Sequence, residues 1–298
     1  MTPAHQHAET GRARFPLLFA AGVTAVIFGL ELWGGLHSRS LALLSDAGHM
    51  LMDLTGILLT LFAVQLSSRP VSHRRTFGLH RLEVLAAFGN GILISMVAVG
   101  ILWESARRMG SPEMPRLGTM MGVGTAGLAA NLWVAWTLRR FAGGDINLRG
   151  AFLHAASDAL ASVGVIAGGA AMALTGWPLI DPLVGVGIAV IILWNALRLL
   201  KEALNLLLEG VPRTLRLDHV LAALTATPGV VRVTDAHLWG LCSHLVSLSA
   251  HILLAPDRWA DQRAVLHQLG EMLRSRFGIH HVTLQLESSA WRESPPKE

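Results

Sequence analysis

The stretch SDAGHMLMDLTG, residues 45–56, decides the fold because it places three ionisable side chains inside an apolar segment. Asp46, His49 and Asp53 lie in a run of Leu, Ala, Met, Phe and Val that covers residues 41–66 and is long enough to cross a bilayer. An Asp at the centre of such a helix costs about 2.5 to 3.5 kcal/mol on insertion scales. The stretch therefore indicates a membrane protein with an internal polar site.

The composition agrees with a membrane protein that also has a soluble part. Of the 298 residues, 52% are hydrophobic and only 15% are charged, which is too apolar for a soluble protein of this length. Six apolar stretches have about the 20 residues that a spanning helix needs. They cover residues 15–36, 41–66, 84–103, 117–138, 150–174 and 178–200. We predict a transmembrane domain over residues 15–208, after a disordered tail of residues 1–14.

Basic residues indicate which side of the membrane each loop faces. Arg residues precede the first stretch, fill the loop between the second and third and follow the fourth, while the short loop between the fifth and sixth has no Lys or Arg. Because cytoplasmic loops are enriched in Lys and Arg, we predict that both termini lie in the cytoplasm. The net charge of +4 comes from Arg residues at span ends, so no nucleic-acid partner is predicted.

The sequence pattern changes after residue 208. VPRTLRLDHVLAALTAT and WADQRAVLHQLGEMLRSRFG predict amphipathic helices, the second ended by Gly278, while VVRVTDAHLWG, HLVSLSAHILL and HHVTLQLE predict strands. Residues 209–290 are therefore predicted to form a cytoplasmic α+β domain in the order helix, strand, strand, helix, strand. A frayed tail, residues 291–298, follows. The single Cys242 excludes an internal disulfide.

Two identical motifs in the second and fifth stretches give the strongest functional signal. His49 and Asp53 are four residues apart, as are His154 and Asp158, so each pair lies on one helix face about one turn apart. If these helices are neighbours, two imidazoles and two carboxylates converge inside the membrane. This ligand set suits tetrahedral Zn²⁺, although Co²⁺ and Cd²⁺ accept similar ligands. The sequence therefore predicts an intramembrane metal site.

Other acidic residues of the spans have simpler explanations. Asp46 lies about one turn before His49, where it either accepts a hydrogen bond from the imidazole or lies in water near the outer surface. Glu31 and Asp181 lie near the outer ends of the first and sixth stretches. We expect these two side chains to snorkel or to cap helices.

Four motifs, in this order and with these separations, resemble the cation diffusion facilitator transporters, in particular their zinc-exporting branch. They are SLALLSDAGHMLMD, TFGLHRLEVLAA, LHAASDALASVGV and HVTLQLES. The resemblance implies a six-transmembrane-helix bundle with a C-terminal cytoplasmic α+β metallochaperone-like domain. It also implies a homodimer in the cytoplasmic (inner) membrane that exports Zn²⁺ in exchange for protons. The transport site that it implies consists of His49, Asp53, His154 and Asp158.

The resemblance further implies a second zinc site in the cytoplasmic domain. The matching positions are His237, His251, His280 and Glu287. Further candidate ligands are His244, His267 and His281. His280 and Glu287 are seven residues apart, so on a straight strand they need opposite faces, unless the strand bends or a dimer mate supplies one of them. The alternative is that these polar side chains face water.

The loop between the second and third stretches is where some members of that family bind metal. Here the loop has the sequence SSRPVSHRRTFGLHRLE, which places Ser72 and Arg75 at the ligand positions. This departure leaves open whether the loop binds metal, and we expect its remaining histidines, His73 and His80, to be solvated. The same alignment places Arg81 opposite Glu209, which predicts an ion pair at the membrane–cytoplasm hinge.

Two other functions fit parts of the sequence. An intramembrane metalloenzyme would also bury His and Asp, but its HExxH motif is absent from the sequence. A membrane metal sensor without transport would use the His-bearing soluble domain, but it needs no metal site at mid-membrane. Proton exchange fits a transporter because an unperturbed imidazole titrates near about pH 6.5, and zinc displaces protons from its ligands.

Overall fold

The structure, a computed structural model, describes residues 3–67, 73, 75–141, 146–242 and 245–288. In these ranges the chain forms eight α-helices, one 3₁₀ helix at Pro256–Asp261 and three strands. In chain order they are α1 (Pro3–Ser38), α2 (Leu41–Ser67), α3 (His80–Gly110), α4 (Leu117–Phe141), α5 (Ile146–Thr175), α6 (Ile180–Leu207), α7 (Leu217–Thr225), β1 (Val230–Gly240), β2 (Val246–Leu254), α8 (Gln262–Phe277) and β3 (His281–Ser288).

The six helices before residue 208 are 25 to 36 residues long. Among the residues that the structure describes, α3, α4, α5 and α6 are long and apolar enough to cross a membrane. The predicted helical membrane domain is confirmed, whereas the count of six spans stays a prediction. Residues 3–14, expected to be a disordered tail, are helical and continuous with α1, since Pro is favourable at the first helical position and Ala, Gln and Glu favour a helix.

One compact unit of the chain comprises Met1–Leu61 and Gly89–Leu199. Within it, α4 packs along α5, and α1 packs along α4. Side chains from α2, α4 and α5 form a buried core near the first turn of α2. Its members are Ala42, Leu43, Met120, Val165 and Met172. The start of α2 is therefore enclosed by neighbouring helices.

The second compact unit comprises Phe62–Phe88 and Leu200–Glu298. Its sheet has the order β1-β2-β3, with β1 antiparallel to β2 and β2 parallel to β3. A parallel pair needs a crossover connection, and α8 forms it. Helix α8 ends at Gly278, whose positive φ of 68° suits glycine. The predicted order of helices and strands is confirmed.

An apolar core holds α7 and α8 on this sheet. Alternate residues of the strands point toward the helices, and the helices bury one face each. The fully buried leucine and isoleucine side chains of this core include Leu224, Leu248, Ile252, Leu254 and Leu269. The polar residues between them on the strands point to the opposite face of the sheet.

Candidate metal centre

Helices α2 and α5 carry the four side chains of the predicted transport site. His49 and Asp53 belong to α2, and His154 and Asp158 belong to α5. The Asp53 and Asp158 side chains are only 9% and 6% exposed, against 19% for His49 and 46% for His154. The structure therefore brings all four residues into one cluster, with the carboxylates on its enclosed side.

Each imidazole of this cluster faces both carboxylates. Nε2 of His49 lies 3.8 Å from Oδ2 of Asp53 and 3.4 Å from Oδ1 of Asp158. Nε2 of His154 lies 3.2 Å from Oδ2 of Asp53 and 3.7 Å from Oδ2 of Asp158. Zinc bonds of about 2.0 to 2.1 Å at tetrahedral angles put adjacent donor atoms roughly 3.3 Å apart. The four nitrogen–oxygen distances, 3.2 to 3.8 Å, lie near this value, and the two imidazoles face different oxygens of Asp158.

Two carboxylate oxygens in the cluster form no hydrogen bond of good geometry within the described part of the chain, although an imidazole nitrogen lies 3.2 Å from one and 3.4 Å from the other. They are Oδ2 of Asp53 and Oδ1 of Asp158, and both atoms are buried. A buried carboxylate oxygen that forms no well-aligned hydrogen bond is costly, and a cation bound between the carboxylates and imidazoles removes that cost. Donor atoms of His49, Asp53 and Asp158 already lie within 4.8 Å of one another. Their arrangement therefore fits a bound cation.

Two further carboxylates are buried in the same unit. Asp46 is 3% exposed, so it does not lie in water. Glu31 is 0% exposed, and neither of its carboxylate oxygens has a hydrogen-bond partner among the residues whose positions are described. The expectation that Glu31 snorkels or caps was wrong because α4 covers it. Gly127 of α4 leaves room for it, since a Cβ there would lie 2.5 Å from Oε1 of Glu31.

The cytoplasmic domain contains a second group of histidines and carboxylates. Nδ1 of His251 lies 2.6 Å from Oε1 of Glu287, and its Nε2 lies 3.9 Å from Oδ2 of Asp235. Nε2 of His237 lies 3.0 Å from Oδ1 of Asp235. We call Asp235, His237, His251 and Glu287 the cytoplasmic cluster. Imidazole and carboxylate are both zinc ligands, so the donor set suits this metal.

Strand pairing explains how the cytoplasmic cluster forms. In the β2–β3 ladder His251 pairs with Gln285, and Glu287 is the diagonal neighbour on the same face. Asp235 lies at an irregularity of β1, where the register shifts between Thr234 and His237, and it has a φ of 49°. Sequence analysis missed Asp235. The signal that would have found it is an Asp inside a predicted strand, where Asp is uncommon.

His280 does not belong to the cytoplasmic cluster of one protomer. It immediately precedes β3, whereas Glu287 lies near the opposite end of that strand. Seven residues of a strand cover about 23 Å, which no single metal site can bridge. Continuous pairing with β2 keeps β3 extended over its whole length, so β3 does not bend to bring His280 to Glu287, and a zinc site that contains His237, His251, His280 and Glu287 stays a prediction that needs a dimer mate.

Two residues that the sequence analysis considered, Ser72 in the loop between α2 and α3 and His244 between β1 and β2, lie outside the described residues. His73 is exposed, in agreement with a solvated loop. Arg81 and Glu209 form the predicted ion pair, with Nη2 of the arginine 2.8 Å from Oε1 of the glutamate. Both side chains are well exposed, so this pair adds little stability.

Two protein-family models match the chain. "Cation efflux transmembrane domain" matches residues 17–208, and "Cation efflux protein, cytoplasmic domain" matches residues 212–289. Together they cover nearly the whole sequence. They divide it close to residue 208, where the helical membrane segments give way to the α+β domain.

Several curated proteins are similar to the chain over most of their length. The metal cation efflux system protein CzcD of Cupriavidus metallidurans is 38% identical, over 96% of this chain and 90% of that protein. The zinc transporter ZitB of Escherichia coli is 38% identical, over 95% and 92%. The cadmium, cobalt and zinc/H(+)-K(+) antiporter of Bacillus velezensis is 33% identical, over 96% and 92%.

Proposed function

Because this chain belongs to the cation efflux family, whose members are membrane transporters and not enzymes, we propose that it exports Zn²⁺ from the cytoplasm in exchange for protons. Metal cation efflux follows from the family. The choice of zinc, the exchanged proton and the residues that hold the ion are the parts of this proposal that need support. The names of two relatives, a zinc transporter and a cadmium, cobalt and zinc antiporter, agree with it.

One observation carries the proposal: two imidazoles and two carboxylates, from α2 and α5, face one another with nitrogen–oxygen distances of 3.2 to 3.8 Å, near the roughly 3.3 Å between neighbouring ligands of a tetrahedral zinc ion. We assign His49, Asp53, His154 and Asp158 as the ligands of the transported ion. Two nitrogen and two oxygen donors suit Zn²⁺ best, and Co²⁺ and Cd²⁺ are expected to compete for the same ligands. Mg²⁺ and Ca²⁺ prefer an all-oxygen shell and are expected to bind poorly.

Proton exchange follows from the chemistry of these ligands. Zinc binds neutral imidazole and ionised carboxylate, so any proton on the ligands must leave when the metal enters. Imidazole is the ligand type that changes its protonation between pH 5 and 8. Two histidines set a ceiling of about two protons per zinc if the carboxylates stay ionised. A more acidic exterior then favours release of zinc, and a less acidic cytoplasm favours its uptake.

The cytoplasmic cluster is proposed to bind zinc and to sense it. Its four side chains supply two imidazoles and two carboxylates in the domain that follows the membrane-spanning segments. Asp235 takes the place that the sequence suggested for His280. His280 joins a zinc site only if a second copy of the chain supplies it, and the cytoplasmic-domain match agrees with assembly as a homodimer.

The proposed location is the cytoplasmic membrane, with both termini in the cytoplasm. The apolar helices show that the chain is an integral membrane protein. The Arg-rich loops support the orientation. In this orientation α2 and α6 begin at the outer side of the membrane, and the domain that contains the cytoplasmic cluster can respond to cytoplasmic zinc.

Zinc flux into proteoliposomes that contain the purified protein tests the proposal. We expect flux in the parent protein, none in Asp158→Ala, and parent-level flux in Ser157→Ala, which changes the exposed neighbouring residue of the same helix. A membrane metal sensor would bind zinc but give no flux in the parent protein. Zinc binding without flux would therefore favour that alternative over export.

A further inference from the structure

A buried carboxylate joins the first turns of α2 and α6. Asp181 lies in the first turn of α6 and is 2% exposed. Its Oδ1 accepts hydrogen bonds from the Ser40 hydroxyl at 2.6 Å and from the Ala42 amide at 3.2 Å, and its Oδ2 accepts one from the Leu41 amide at 2.6 Å. A residue of α6 thus caps the N-terminus of α2.

Asp181 completes the hydrogen bonding at the start of α2. The first amide groups of a helix have no partner within the helix. Ser40 is the N-cap, and its hydroxyl oxygen accepts a hydrogen bond from the amide of Leu43 at 3.2 Å. The Ser40 amide itself donates to the carbonyl of Gly35 at 3.1 Å. Since Asp181 accepts from the two remaining amides, every donor of this turn has an acceptor.

The charge of Asp181 is also well placed. A helix N-terminus carries a partial positive charge, and carboxylates are favourable there. The Asp181 carboxylate lies at the N-terminal ends of two helices, α2 and its own helix α6. Removing this one side chain therefore removes the shared counter-charge and three hydrogen bonds together.

The two helix backbones approach closely at the same level. A Cβ on Gly185 would lie 3.1 Å from Cβ of Leu41 and 3.3 Å from its carbonyl carbon. The Ser45 hydroxyl contacts the carbonyl oxygens of both Leu41 and Gly185, at 2.8 and 3.2 Å. The Asp181 contact therefore belongs to a tight junction between α2 and α6, which we call the α2–α6 clamp.

We propose that Asp181 is a positioning residue for transport, which fixes the depth and rotation of α2 through the α2–α6 clamp and thereby places His49 and Asp53 opposite the ligands of α5. This inference rests on the proposed function. His49 lies eight residues beyond Leu41, about 12 Å along a continuous helix, so a shift at the clamp moves the ligands directly. Metal ligands need positions accurate to about 0.5 Å.

We expect the clamp to stay closed during transport. Opening it would leave a carboxylate, a hydroxyl and two amides without partners in an enclosed, apolar part of the protein. Zinc therefore enters and leaves the site by movement of other helix segments, while the first turns of α2 and α6 remain joined. This makes a covalent bond between these turns a valid replacement for Asp181.

The test replaces the clamp with a disulfide. Leu41→Cys and Gly185→Cys are introduced in a Cys242→Ala background, which leaves no other cysteine. The Cβ separation of 3.1 Å is slightly below the roughly 3.5 to 4.5 Å of disulfides, so the helices must move apart by a few tenths of an ångström. The pair is studied with Asp181 present and with Asp181→Ala, after oxidation with diamide or reduction with a phosphine.

We expect Asp181→Ala to raise the zinc concentration for half-maximal flux by about tenfold or more, because the ligands are misplaced. When Asp181→Ala is combined with the cysteine pair, oxidation is expected to bring that zinc concentration back to within about twofold of the parent value. Reduction of the disulfide is expected to reverse this effect. Asp181→Asn, which keeps the shape and one acceptor, should lie between parent and Ala. A side chain needed only for folding would change the maximal flux through the amount of assembled protein and would leave the zinc concentration for half-maximal flux unchanged.

Any one of three results would contradict the proposed role of the clamp in transport: parent-like flux in Asp181→Ala, no rescue by oxidation, or loss of flux on oxidation when Asp181 is present. A parent protein without zinc flux would instead contradict the proposed function. In that case hydrogen exchange at the amides of Leu41 and Ala42 still tests the clamp. Faster exchange in Asp181→Ala supports it, and unchanged exchange contradicts it.

Discussion

Nε2 of His154 on α5 lies 3.2 Å from Oδ2 of Asp53 on α2. The reverse pair, His49 on α2 and Asp158 on α5, is separated by 3.4 Å. Each helix therefore supplies one histidine and one aspartate, and each histidine faces the aspartate of the other helix. Neither helix holds a complete set of ligands, so the site exists only while the two helices keep their relative depth and rotation.

The negative charge of Asp53 and Asp158, and not only the size of their side chains, should be essential for transport. Asp53→Asn and Asp158→Asn keep the side-chain volume but remove a negative charge that the metal needs. We expect each to lower zinc flux at least about 100-fold, because a metal site that lacks one anionic ligand binds weakly. The double variant should be no worse than either single variant, since the four ligands act as a unit.

Flux assays on vesicles with equal amounts of assembled protein check this prediction. Ser157→Ala is the matched control, because Ser157 neighbours Asp158 on α5 but is exposed. Near-normal flux in Asp158→Asn or Asp158→Ala would show that the assigned residues are not the transport ligands.

Zinc affinity should fall as the pH falls. Protonated imidazole cannot bind zinc, so protons and metal compete for His49 and His154. Because model imidazoles titrate near about pH 6.5, the apparent affinity should drop by on the order of 10- to 100-fold per pH unit below that value, the larger slope corresponding to two protons. Calorimetry in buffers of different ionisation enthalpy measures the released protons. A constant affinity between pH 5 and 8 would exclude this competition.

The cytoplasmic cluster should bind zinc independently of the transport site. In full-length Asp158→Ala, which lacks a complete transport site, we expect residual zinc binding. That binding should weaken by about 10-fold or more on adding His251→Ala or Asp235→Ala, because each removes a ligand. His280→Ala should change it less than about twofold, since His280 lies at the other end of β3.

Zinc titrations of these double variants separate the possibilities for the cytoplasmic domain. An effect of His280→Ala as large as that of His251→Ala would mean that a second copy of the chain completes the site. Unchanged affinity in both His251→Ala and Asp235→Ala would remove the cytoplasmic cluster as a zinc site.

Competing metals should follow the chemistry of the ligands. Cd²⁺ and Co²⁺ accept imidazole and carboxylate in a tetrahedral site, so equimolar amounts should slow zinc flux by roughly twofold or more. Mg²⁺ and Ca²⁺ at the same concentration should have no effect, because they prefer six or more oxygen ligands. Inhibition by Mg²⁺ as strong as that by Cd²⁺ would contradict a site built on two histidines.

The closeness of His49, Asp53, His154 and Asp158 could be expected from the sequence because its signal is local, whereas their role as transport ligands stays a prediction. A spacing of four residues puts His49 beside Asp53 on any α-helix, and the same holds for His154 and Asp158. Only the adjacency of α2 and α5 had to be assumed, and the structure supplies it. By contrast, the burial of Glu31 depends on how α4 packs over α1, which the sequence of α1 does not contain.

The cytoplasmic cluster was only partly predictable because it depends on strand register. His251 and Glu287 meet because β2 and β3 are parallel and paired in one register, which periodicity alone does not specify. Asp235 joins them through a backbone irregularity in β1. Asp181 was expected to cap a helix, but the helix that it caps is α2, since helix packing brings the two N-termini together.

The most direct test of zinc–proton exchange is zinc uptake into proteoliposomes that contain a pH-sensitive dye. We predict that zinc entry raises the lumenal pH, with about one to two protons leaving per zinc, and that an acidic lumen accelerates uptake. The same zinc pulse should leave the pH unchanged in vesicles with Asp158→Ala. Equal zinc flux with and without a pH gradient, together with no change in lumenal pH, would contradict exchange.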